Sequence, residues 1–246
     1  MKNFGHTVLI TGGAAGIGLA LAEKFLEYDN EVIIVGRDTQ KLDLVKAKHP
    51  RVIAYACDLA DAAQQDALVE RLYIEHPSLS VLVNNAGIQY NYSFLEKEPE
   101  AIAALVVHEI AVNLTSPVKL TAKLMPLLAR QPEAAVVNVS SGLGLVPKES
   151  APVYCATKAA LHLFSKALRW QLEESRIKVF EIIPPVVDTD MTRGRGKNKI
   201  KPEALAAEFF TYYTKDKQEV PIGKVKLLGI LQRLLPSIPE RILRKG

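Results

Sequence analysis

The feature of this sequence that most constrains its fold is a glycine-rich loop between a short strand and a helix. Residues 7–10 are β-branched or apolar, and residues 19–28 follow a helical pattern. Between them lies the stretch TGGAAGIG, Thr11 to Gly18. Glycines permit a tight turn and close approach of the backbone, and a helix N-terminus attracts phosphate groups. The combination predicts a nucleotide-binding strand–loop–helix unit, with an ordinary glycine-rich loop as the alternative.

Strand-like and helical patterns alternate along the rest of the chain. We predict strands near 7–11, 31–36, 52–57, 80–84, 134–140 and 178–183. We predict helices near 16–28, 38–48, 61–76, 98–128, 152–175 and 202–213. Alternating strands and helices indicate an α/β fold, a single-domain, Rossmann-type, doubly wound parallel sheet. A catalytic domain is expected over 1–223, with a substrate loop at about 190–220 and a basic helical tail over 224–246.

Tyr154 and Lys158 are four residues apart, which places both side chains on one face of a helix. A free phenol has a pKa of about 10, and a neighbouring ammonium lowers it, which suits a general acid or base. Tyr213 and Lys217 share this spacing, so the pair alone is weak. Ser141 separates the two cases, because it stands thirteen residues before Tyr154 at the end of a predicted strand.

With these motifs the chain resembles the short-chain dehydrogenases/reductases. Six motifs match in family order between residue 7 and about 191: Thr11–Gly18, Asn84–Gly87, Asn113, Ser141, the pair Tyr154 and Lys158, and Pro184–Thr189. In the stretch 85–91 and in the tail, the chain is similar to a subgroup associated with bacterial D-alanylation operons.

The resemblance implies an oxidoreductase that transfers a hydride between a nicotinamide cofactor and a carbonyl or alcohol. Tyr154 would exchange the proton, Ser141 would hold the substrate oxygen, and Lys158 would bind the ribose and lower the pKa of Tyr154. Asn113 would hold a water that links Lys158 to solvent, and Ser140 is the alternative to Ser141. The implied cofactor contacts are Gly12, Ala14, Ala15, Gly16, Ile17, Gly18, Arg37, Asp58, Leu59, Asn85, Ala86, Gly87, Tyr154, Lys158, Pro184, Val187 and Thr189.

Cofactor choice is predicted from the end of the second strand. NAD-binding relatives place an acid there for the ribose hydroxyl, and Gly36 occupies that position here, followed by Arg37. Arginine offers a planar fork that suits a 2′-phosphate, so we expect NADP, with NAD as the alternative. A shift of register would instead make Asp38 the ribose acid.

Two departures from the family pattern concern the C-terminal part. Pro185 replaces the usual glycine, which removes a backbone N–H and fixes φ near −65°. The family's last strand is not recognisable, and residues 224–246 indicate helix and loop instead.

Other polar candidates have simpler explanations. Asp58 and Leu59 fit the family's adenine contacts, but Asp58 could instead cap the helix 61–76, as Asp61 could. His162 follows Lys158 by one turn, and we interpret it as a packing or interface residue, with a substrate contact as the alternative. No metal-ligand spacing is found among the histidines or cysteines, so no metal is expected.

The N-terminus and the lengths of the apolar runs favour an intracellular protein without a membrane span. Residues 1–6 lead directly into the first strand and leave no room for a signal peptide, and no apolar run approaches the roughly 20 residues of a membrane span. We therefore expect a cytoplasmic protein. The net charge of +4 is concentrated in residues 193–201 and in the tail. Neither segment interleaves aromatic residues, so nucleic acid is not an expected partner.

Two apolar surfaces suggest macromolecular contacts. The helix 152–175 carries more apolar residues than one sheet face needs, which favours a homodimer: Leu161, Leu163, Phe164, Leu168, Trp170 and Leu172. The tail repeats leucines at helical spacing among six basic residues, the last of them Lys245. Such a stripe packs on its own domain or a partner subunit, or it makes a weak contact with an anionic membrane or an amphipathic lipid substrate.

The leading hypothesis is thus an NADPH-dependent oxidoreductase that acts on a small-molecule carbonyl or alcohol. A cofactor-binding sensor or scaffold without turnover is the alternative. A serine hydrolase is disfavoured because the sequence has no G-x-S-x-G elbow.

Overall fold

Seven short strands form one parallel sheet in the structure, a computed structural model that describes residues 1–244. The strands are β1 Thr7–Thr11, β2 Glu31–Gly36, β3 Val52–Ala56, β4 Leu79–Asn84, β5 Ala134–Val139, β6 Ile177–Ile183 and β7 Glu219–Pro221. Their order across the sheet is β3-β2-β1-β4-β5-β6-β7. The predicted α/β fold with a doubly wound parallel sheet is confirmed.

Nine α-helices are described: α1 Gly16–Glu27, α2 Thr39–Lys48, α3 Ala62–Glu75, α4 Pro99–Ile110, α5 Ser116–Ala129, α6 Pro152–Gln171, α7 Pro202–Tyr213, α8 Val225–Leu234 and α9 Ser237–Leu243. The helix predicted over 98–128 is α4 and α5, joined by a π-helical turn at Ala111–Thr115. Such widened turns are often found at functional sites.

Successive side chains of β1, near the centre of the sheet, point to opposite faces and enter two hydrophobic layers. Val8 and Ile10 join a core with α1 and α7, whereas Leu9 joins a core with α3 and α5. All three side chains are fully buried. A parallel sheet covered on both faces requires strands that are apolar throughout, which explains the uninterrupted burial of β1.

The order in which successive strands join the sheet reverses between the neighbouring strands β1 and β4, which run parallel. Ligands of doubly wound sheets bind beyond the carboxyl ends of the strands at such a point. The glycine loop follows β1, Asn85–Gly87 follows β4, and Ser141 lies two residues after β5. Three of the predicted motifs therefore meet at the same edge.

The last strand is a correction to the sequence analysis. β7 pairs in parallel with β6, although the sequence showed no recognisable strand there. It spans three residues, too few for alternation to reveal, and it is held by Val220 and Ile222, which are fully buried in the core. The tail then forms α8 and α9. Lys245 and Gly246, at the end of the predicted tail, lie outside the described residues, and the boundary at 223 stays a prediction.

One described helical segment, Pro99–Ala129, is long and apolar enough to cross a membrane by length and composition. The sequence analysis did not anticipate this. In the structure, α5 places Leu120, Leu124 and Leu127 in the core against the sheet.

Candidate active site

The glycine loop is shaped by contacts that leave no room for side chains. Gly12 has a positive φ of +64°, and a Cβ at this position would lie 3.1 Å from the Cα of Ala86. A Cβ at Gly18 would lie 2.2 Å from the carbonyl oxygen of Gly12. The loop can therefore fold tightly between the ends of β1 and β4 only with glycine at both positions.

The segment after β4 is hydrogen-bonded to this loop. The hydroxyl oxygen of Thr11 accepts hydrogen bonds from the backbone N–H groups of Asn85 and Ala86, at 3.0 and 3.1 Å. The side-chain amide of Asn85 donates to the carbonyl oxygens of Thr11 and Gly12, at 2.9 and 3.2 Å. Two motifs that are far apart in the sequence thus form one rigid floor.

The start of α1 differs from the starts of the next two helices. Asp38 caps α2 and Asp61 caps α3 through their carboxylates. Ala15 precedes α1, where no side chain among the described residues provides a cap. The first N–H groups of an α-helix lack intrahelical partners, and here they are directed into the site, where an anionic group would satisfy them.

Ser140 and Ser141 both line the cavity at the end of β5, and their hydroxyls have different partners. The Ser140 hydroxyl donates to the carboxylate of Glu181 at 2.5 Å, so it is engaged beneath the site. The Ser141 hydroxyl accepts from the N–H of Leu143 at 3.1 Å and lines the same cavity as Tyr154. The preference for Ser141 over Ser140 rests on spacing and stays a prediction.

Tyr154 lies near the start of α6 and is largely buried. Burial raises the pKa of its phenol to about 12, and the hydrogen bond with Ser141 acts in the opposite direction. With this pKa, Tyr154 holds its proton at neutral pH and is ready to donate it.

Lys158 is buried one turn further along α6. Burial lowers the pKa of its amine to about 8. The amine donates to the carbonyl oxygen of Val139 at 2.8 Å and lies 5.8 Å from the ring centroid of Tyr154. A lowering of the pKa of Tyr154 by Lys158 stays a prediction, since burial is the largest influence on the pKa of this phenol.

Asn113 lies in the π-helical turn and is fully buried. Its side chain accepts from the N–H of Ile88 and donates to the carbonyl of Ile88, both at 2.8 Å, and also donates to the Thr157 hydroxyl at 3.3 Å. A Cβ at Gly87 would lie 3.4 Å from the Asn113 oxygen and 3.5 Å from the Lys158 nitrogen. The side chains of Asn113 and Lys158 therefore meet at Gly87, in the floor formed by the glycine loop and the segment after β4.

Glu109 is a site residue that sequence reasoning missed. It is fully buried one turn before Asn113, and one carboxylate oxygen accepts from the N–H of Tyr90 at 3.0 Å. The other oxygen has no partner among the described residues, and burial raises the pKa of this carboxyl. The spacing of four residues to Asn113 could have indicated the shared face.

Glu181 was also missed, although an acid inside the apolar strand β6 was a signal. Its buried carboxylate accepts from Ser140 and pairs with His162 at 2.9 Å. This pairing raises the pKa of His162. His162 thus pairs with Glu181, and the interpretation of it as a packing or interface residue stays a prediction.

The segment after β6 closes over the glycine loop. Thr189 is so close that a Cβ at Gly16 would lie 2.9 Å from its methyl carbon. The carbonyl of Pro184 accepts from the N–H of Gly142 at 2.9 Å. Pro185 lacks an N–H group to offer a ligand, but Pro184 and Pro185 both line the site.

These elements enclose a cavity of about 560 Å³. Most predicted site residues line it: Gly12, Ala15, Gly16, Ile17, Asn85, Ala86, Gly87, Ser141, Tyr154, Lys158, Pro184, Val187 and Thr189. Ala14 lines an adjoining cavity. The other predicted residues do not line it, namely Gly18, Arg37, Asp58, Leu59 and Asn113. Asp58 does not cap α3, since Asp61 does.

The shape of the cavity fits a nicotinamide dinucleotide. The glycine loop and the uncapped start of α1 at one end suit a pyrophosphate. Tyr154 and Lys158 at the other end suit proton exchange and hydrogen bonding to a ribose. The ends of β2 and β3, with Arg37 and Asp58, extend the edge on which an adenosine would lie.

Comparison with known proteins agrees with this geometry. The family model described as short chain dehydrogenase matches residues 6–200. An uncharacterised oxidoreductase of Bacillus subtilis strain 168, DltE, is 44% identical over 232 residues, which are 92% of this chain and 91% of that protein. This relative confirms the predicted similarity to the D-alanylation-associated subgroup.

Solved structures show the same fold. A short-chain dehydrogenase from Sphingobium yanoikuyae in complex with NADPH has a TM-score of 0.81 and 26% identity, covering 95% of this chain and 96% of its own. A 3-ketoacyl-(acyl-carrier-protein) reductase from Brucella melitensis complexed with NADH has a TM-score of 0.79 and 26% identity, covering 90% and 98%.

The family match extends from the glycine loop past Thr189 and includes Ser141, Tyr154 and Lys158, whereas α8 and α9, which also line the cavity, lie outside the matched residues. The chain therefore belongs to the short-chain dehydrogenase family and is an NAD(P)-dependent oxidoreductase.

Proposed function

We propose that this protein is an NADPH-dependent oxidoreductase that interconverts a carbonyl group and an alcohol, with Tyr154 as the general acid or base. One observation carries the proposal: Ser141, Tyr154 and Lys158 line the same cavity as the glycine loop. A cofactor held by the loop would supply the hydride. The side chains around Tyr154 then have to orient the substrate oxygen and move one proton.

Tyr154 and Ser141 have separable tasks. Because the pKa of Tyr154 is raised to about 12, its hydroxyl stays protonated and can donate to the oxygen of a carbonyl substrate. The Ser141 hydroxyl lines the same cavity, so both groups can reach the same substrate oxygen. In alcohol oxidation the same pair would accept the proton.

Lys158 supplies positive charge and a hydrogen-bond donor below the phenol. Its pKa of about 8 leaves it mainly protonated at neutral pH, and Glu181 favours the charged form. Asn113 fixes the backbone of Ile88, so that the floor beside Lys158 keeps its shape. A water at Asn113 that connects Lys158 to solvent is part of this proposal.

The hydrogen bond made by the Asp38 carboxylate supports a preference for NADPH. Its carboxylate accepts from the N–H of Lys41 at 3.1 Å and caps α2, so it is engaged in the helix rather than offered to a ribose. Arg37, directly after β2, is exposed beside the glycine loop. The related NADPH and NADH complexes show that the fold accepts both cofactors. The choice between them in this protein therefore depends on Arg37 and Asp38.

The test is turnover of the purified protein with NADPH and a panel of ketones and aldehydes, followed by absorbance at 340 nm. Oxidation of NADPH that depends on the carbonyl substrate is expected. A protein that binds NADPH tightly but turns over no carbonyl or alcohol in either direction would instead be a cofactor-binding sensor or scaffold.

We also propose that the enzyme is a homodimer. Leu163 and Trp170 on α6 are 64% and 66% exposed, and Val107 on the adjacent α4 is 69% exposed. Apolar side chains grouped on two neighbouring helices suit a self-complementary interface. Light scattering at micromolar concentration should give twice the monomer mass, and a strict monomer would contradict the dimer.

We place the enzyme in the cytoplasm, with a weak contact between its tail and an anionic membrane. Cys57 and Cys155 are free, buried thiols, which suits a reducing compartment. Leu227 and Leu234 on the outer face of α8 are 58% and 73% exposed, and Lys224 is exposed near them. Apolar side chains flanked by bases are typical of helices that lie on a lipid surface.

A further inference from the structure

The C-terminal helices form one wall of the active-site cavity. A Cβ at Gly142 would lie 3.3 Å from a methyl carbon of Val225 and 3.5 Å from one of Leu228. Gly142 directly follows Ser141, so α8 packs on the backbone that presents the predicted catalytic serine. The wall continues along Leu231 and across α9, where Leu243 also lines the cavity.

This wall is fixed at both ends. Near the start of α8, Lys226 pairs with Glu208 at 2.7 Å. At the end of α9, the carbonyl of Arg244 accepts from the N–H of Glu149, and the guanidinium of Arg244 donates to the carboxylate of Glu149, both at 3.0 Å. The helix pair is thus a positioned part of the site rather than a free tail.

Between these anchors the wall is apolar. The described residues of α8 and α9 that line the cavity are apolar: Val225, Leu228, Leu231, Pro239, Ile242 and Leu243. Lys224, directly before α8, is the charged lining residue at the edge of this wall. Leu143 and Pro185 line the same cavity from other elements. The groups able to bond a substrate oxygen, Ser141 and Tyr154, lie at the foot of this wall.

We propose that the substrate is a carbonyl compound or alcohol with an unbranched apolar chain that lies along α8 and α9. Its oxygen would reach Ser141 and Tyr154. The inference rests on the proposed function and specifies its substrate class. A sugar or a small charged acid would place polar groups against Leu228 and Leu231, where they would lose hydration without gaining partners.

Chain length is the direct test on the unmodified protein. We expect kcat/KM with NADPH to rise from 2-butanone to 2-decanone by about fourfold per methylene, the increment for burying one methylene, until the wall is covered. A flat or falling series would overturn the proposed substrate class. Measurable reduction of the short ketones in that case would leave the proposed function standing.

A binding series makes the inference independent of turnover. Calorimetry with the Tyr154→Phe variant and NADP should show tighter binding of 2-decanone than of 2-butanone. Equal affinities for the two ketones would overturn the proposal that the substrate chain binds along the apolar wall. Absence of turnover in the wild type together with chain-length-dependent binding would count against the proposed reaction but not against the wall.

Two adjacent leucines provide a matched pair of variants. Leu228 lines the cavity, whereas Leu227 is 58% exposed and does not. Leu228→Asn should lower the ratio of kcat/KM for 2-decanone over 2-butanone at least about tenfold, and Leu227→Asn should leave this ratio unchanged. An unchanged ratio in a folded Leu228→Asn variant would contradict the proposal. If that variant does not fold, Leu231→Ala is measured in the same way.

Discussion

Asn113 and Ile88 are joined by two reciprocal hydrogen bonds of 2.8 Å, one to the N–H and one to the carbonyl of Ile88. A side-chain amide satisfies both backbone groups of another residue in the same way that a neighbouring strand would. The widened helical turn brings Asn113 to this position. One turn earlier, Glu109 binds the N–H of Tyr90. The segment after β4 is thus held by two side chains on one helical face.

Asn113→Ala should therefore weaken the fold as well as the site. The substitution leaves two part-buried backbone groups of Ile88 without their side-chain partner, and we expect the free energy of unfolding to fall by about 1–3 kcal/mol. Urea denaturation measures this loss. Asn91→Ala is the control, because Asn91 is exposed in the same segment and bonds only to Gln89 among the described residues. A similar effect of both substitutions would show that the Asn113–Ile88 bonds contribute little.

Tyr154→Phe should abolish most turnover while preserving the fold. The substitution removes only the hydroxyl that exchanges the proton, and general acid catalysis is typically worth about 10²–10⁴-fold. Steady-state rates and cofactor titration of the variant decide the assignment. Tyr154 is not the proton donor if the variant retains wild-type kcat.

Tyr213→Phe is the matched control for this experiment. Tyr213 has the same spacing to Lys217, but its ring is fully buried in the aromatic core with Phe209 and Phe210. Its hydroxyl has no hydrogen-bond partner among the described residues. Turnover of Tyr213→Phe should therefore equal that of the wild type.

Arg37→Ala should reduce the preference for NADPH over NADH. A charge-assisted hydrogen bond to the 2′-phosphate contributes about 1.5–3 kcal/mol, which corresponds to roughly 10- to 150-fold in kcat/KM. Asp38→Ala is the comparison: it should cost about 1 kcal/mol of stability through loss of the α2 cap, with no change in cofactor preference. The opposite result, in which only Asp38→Ala alters the preference, would identify Asp38 as the ribose-binding acid.

Local patterns in the sequence were sufficient to predict the cofactor floor and the residues around Tyr154. The glycine loop and the Tyr154–Lys158 pair are short patterns within one loop or one helical turn, so their spacing is informative even though Gly12 also meets the distant Ala86. Glu109 and Glu181 act through partners that are distant in sequence, and nothing local identifies those partners. Burial also sets the direction of the pKa shift of Tyr154, and burial depends on the whole fold.

The tail shows a similar limit. Leucines at helical spacing predicted a helix, but both faces of α8 carry them. Leu228 and Leu231 line the cavity, while Leu227 and Leu234 are exposed. Which face is covered depends on the packing of Val225 and Leu228 against Gly142, which is distant in the sequence.

Burial of Lys158 should make stability depend on pH. Its pKa is about 8 in the folded protein against 10.5 for an ordinary lysine. Between these values the unfolded chain holds a proton that the folded protein has released, so the free energy of unfolding rises with pH. From pH 7.5 to 9.5 the gain is about 2 kcal/mol.

The measurement compares urea unfolding of the wild type and Lys158→Met, without added cofactor, at both pH values. The comparison cancels the pH dependence that other titrating groups give to the stability of both proteins. One of these groups is Cys57, whose pKa is raised to about 11, so that it lowers the free energy of unfolding as the pH rises above 9. The wild type should gain about 2 kcal/mol relative to the variant. Parallel curves for the two proteins would mean that Lys158 keeps an ordinary pKa.

The outer face of α8 should bind anionic vesicles. Leu227 and Leu234 are exposed there, and each basic residue near an anionic leaflet contributes about 1 kcal/mol. The double substitution Leu227→Asn and Leu234→Asn should reduce co-sedimentation with phosphatidylglycerol vesicles at low salt. Leu95→Asn, at a residue that is 97% exposed outside the tail, should not.

Point substitutions suit this experiment better than removal of the tail. A chain that ends near Gly223 would also lose Leu228 and Leu231, which line the active-site cavity. Lost vesicle binding by such a protein could then reflect a disrupted site. If the wild type does not co-sediment at low salt, or the double variant binds equally well, the outer face of α8 has no lipid role, and a partner subunit becomes the surface to test against it.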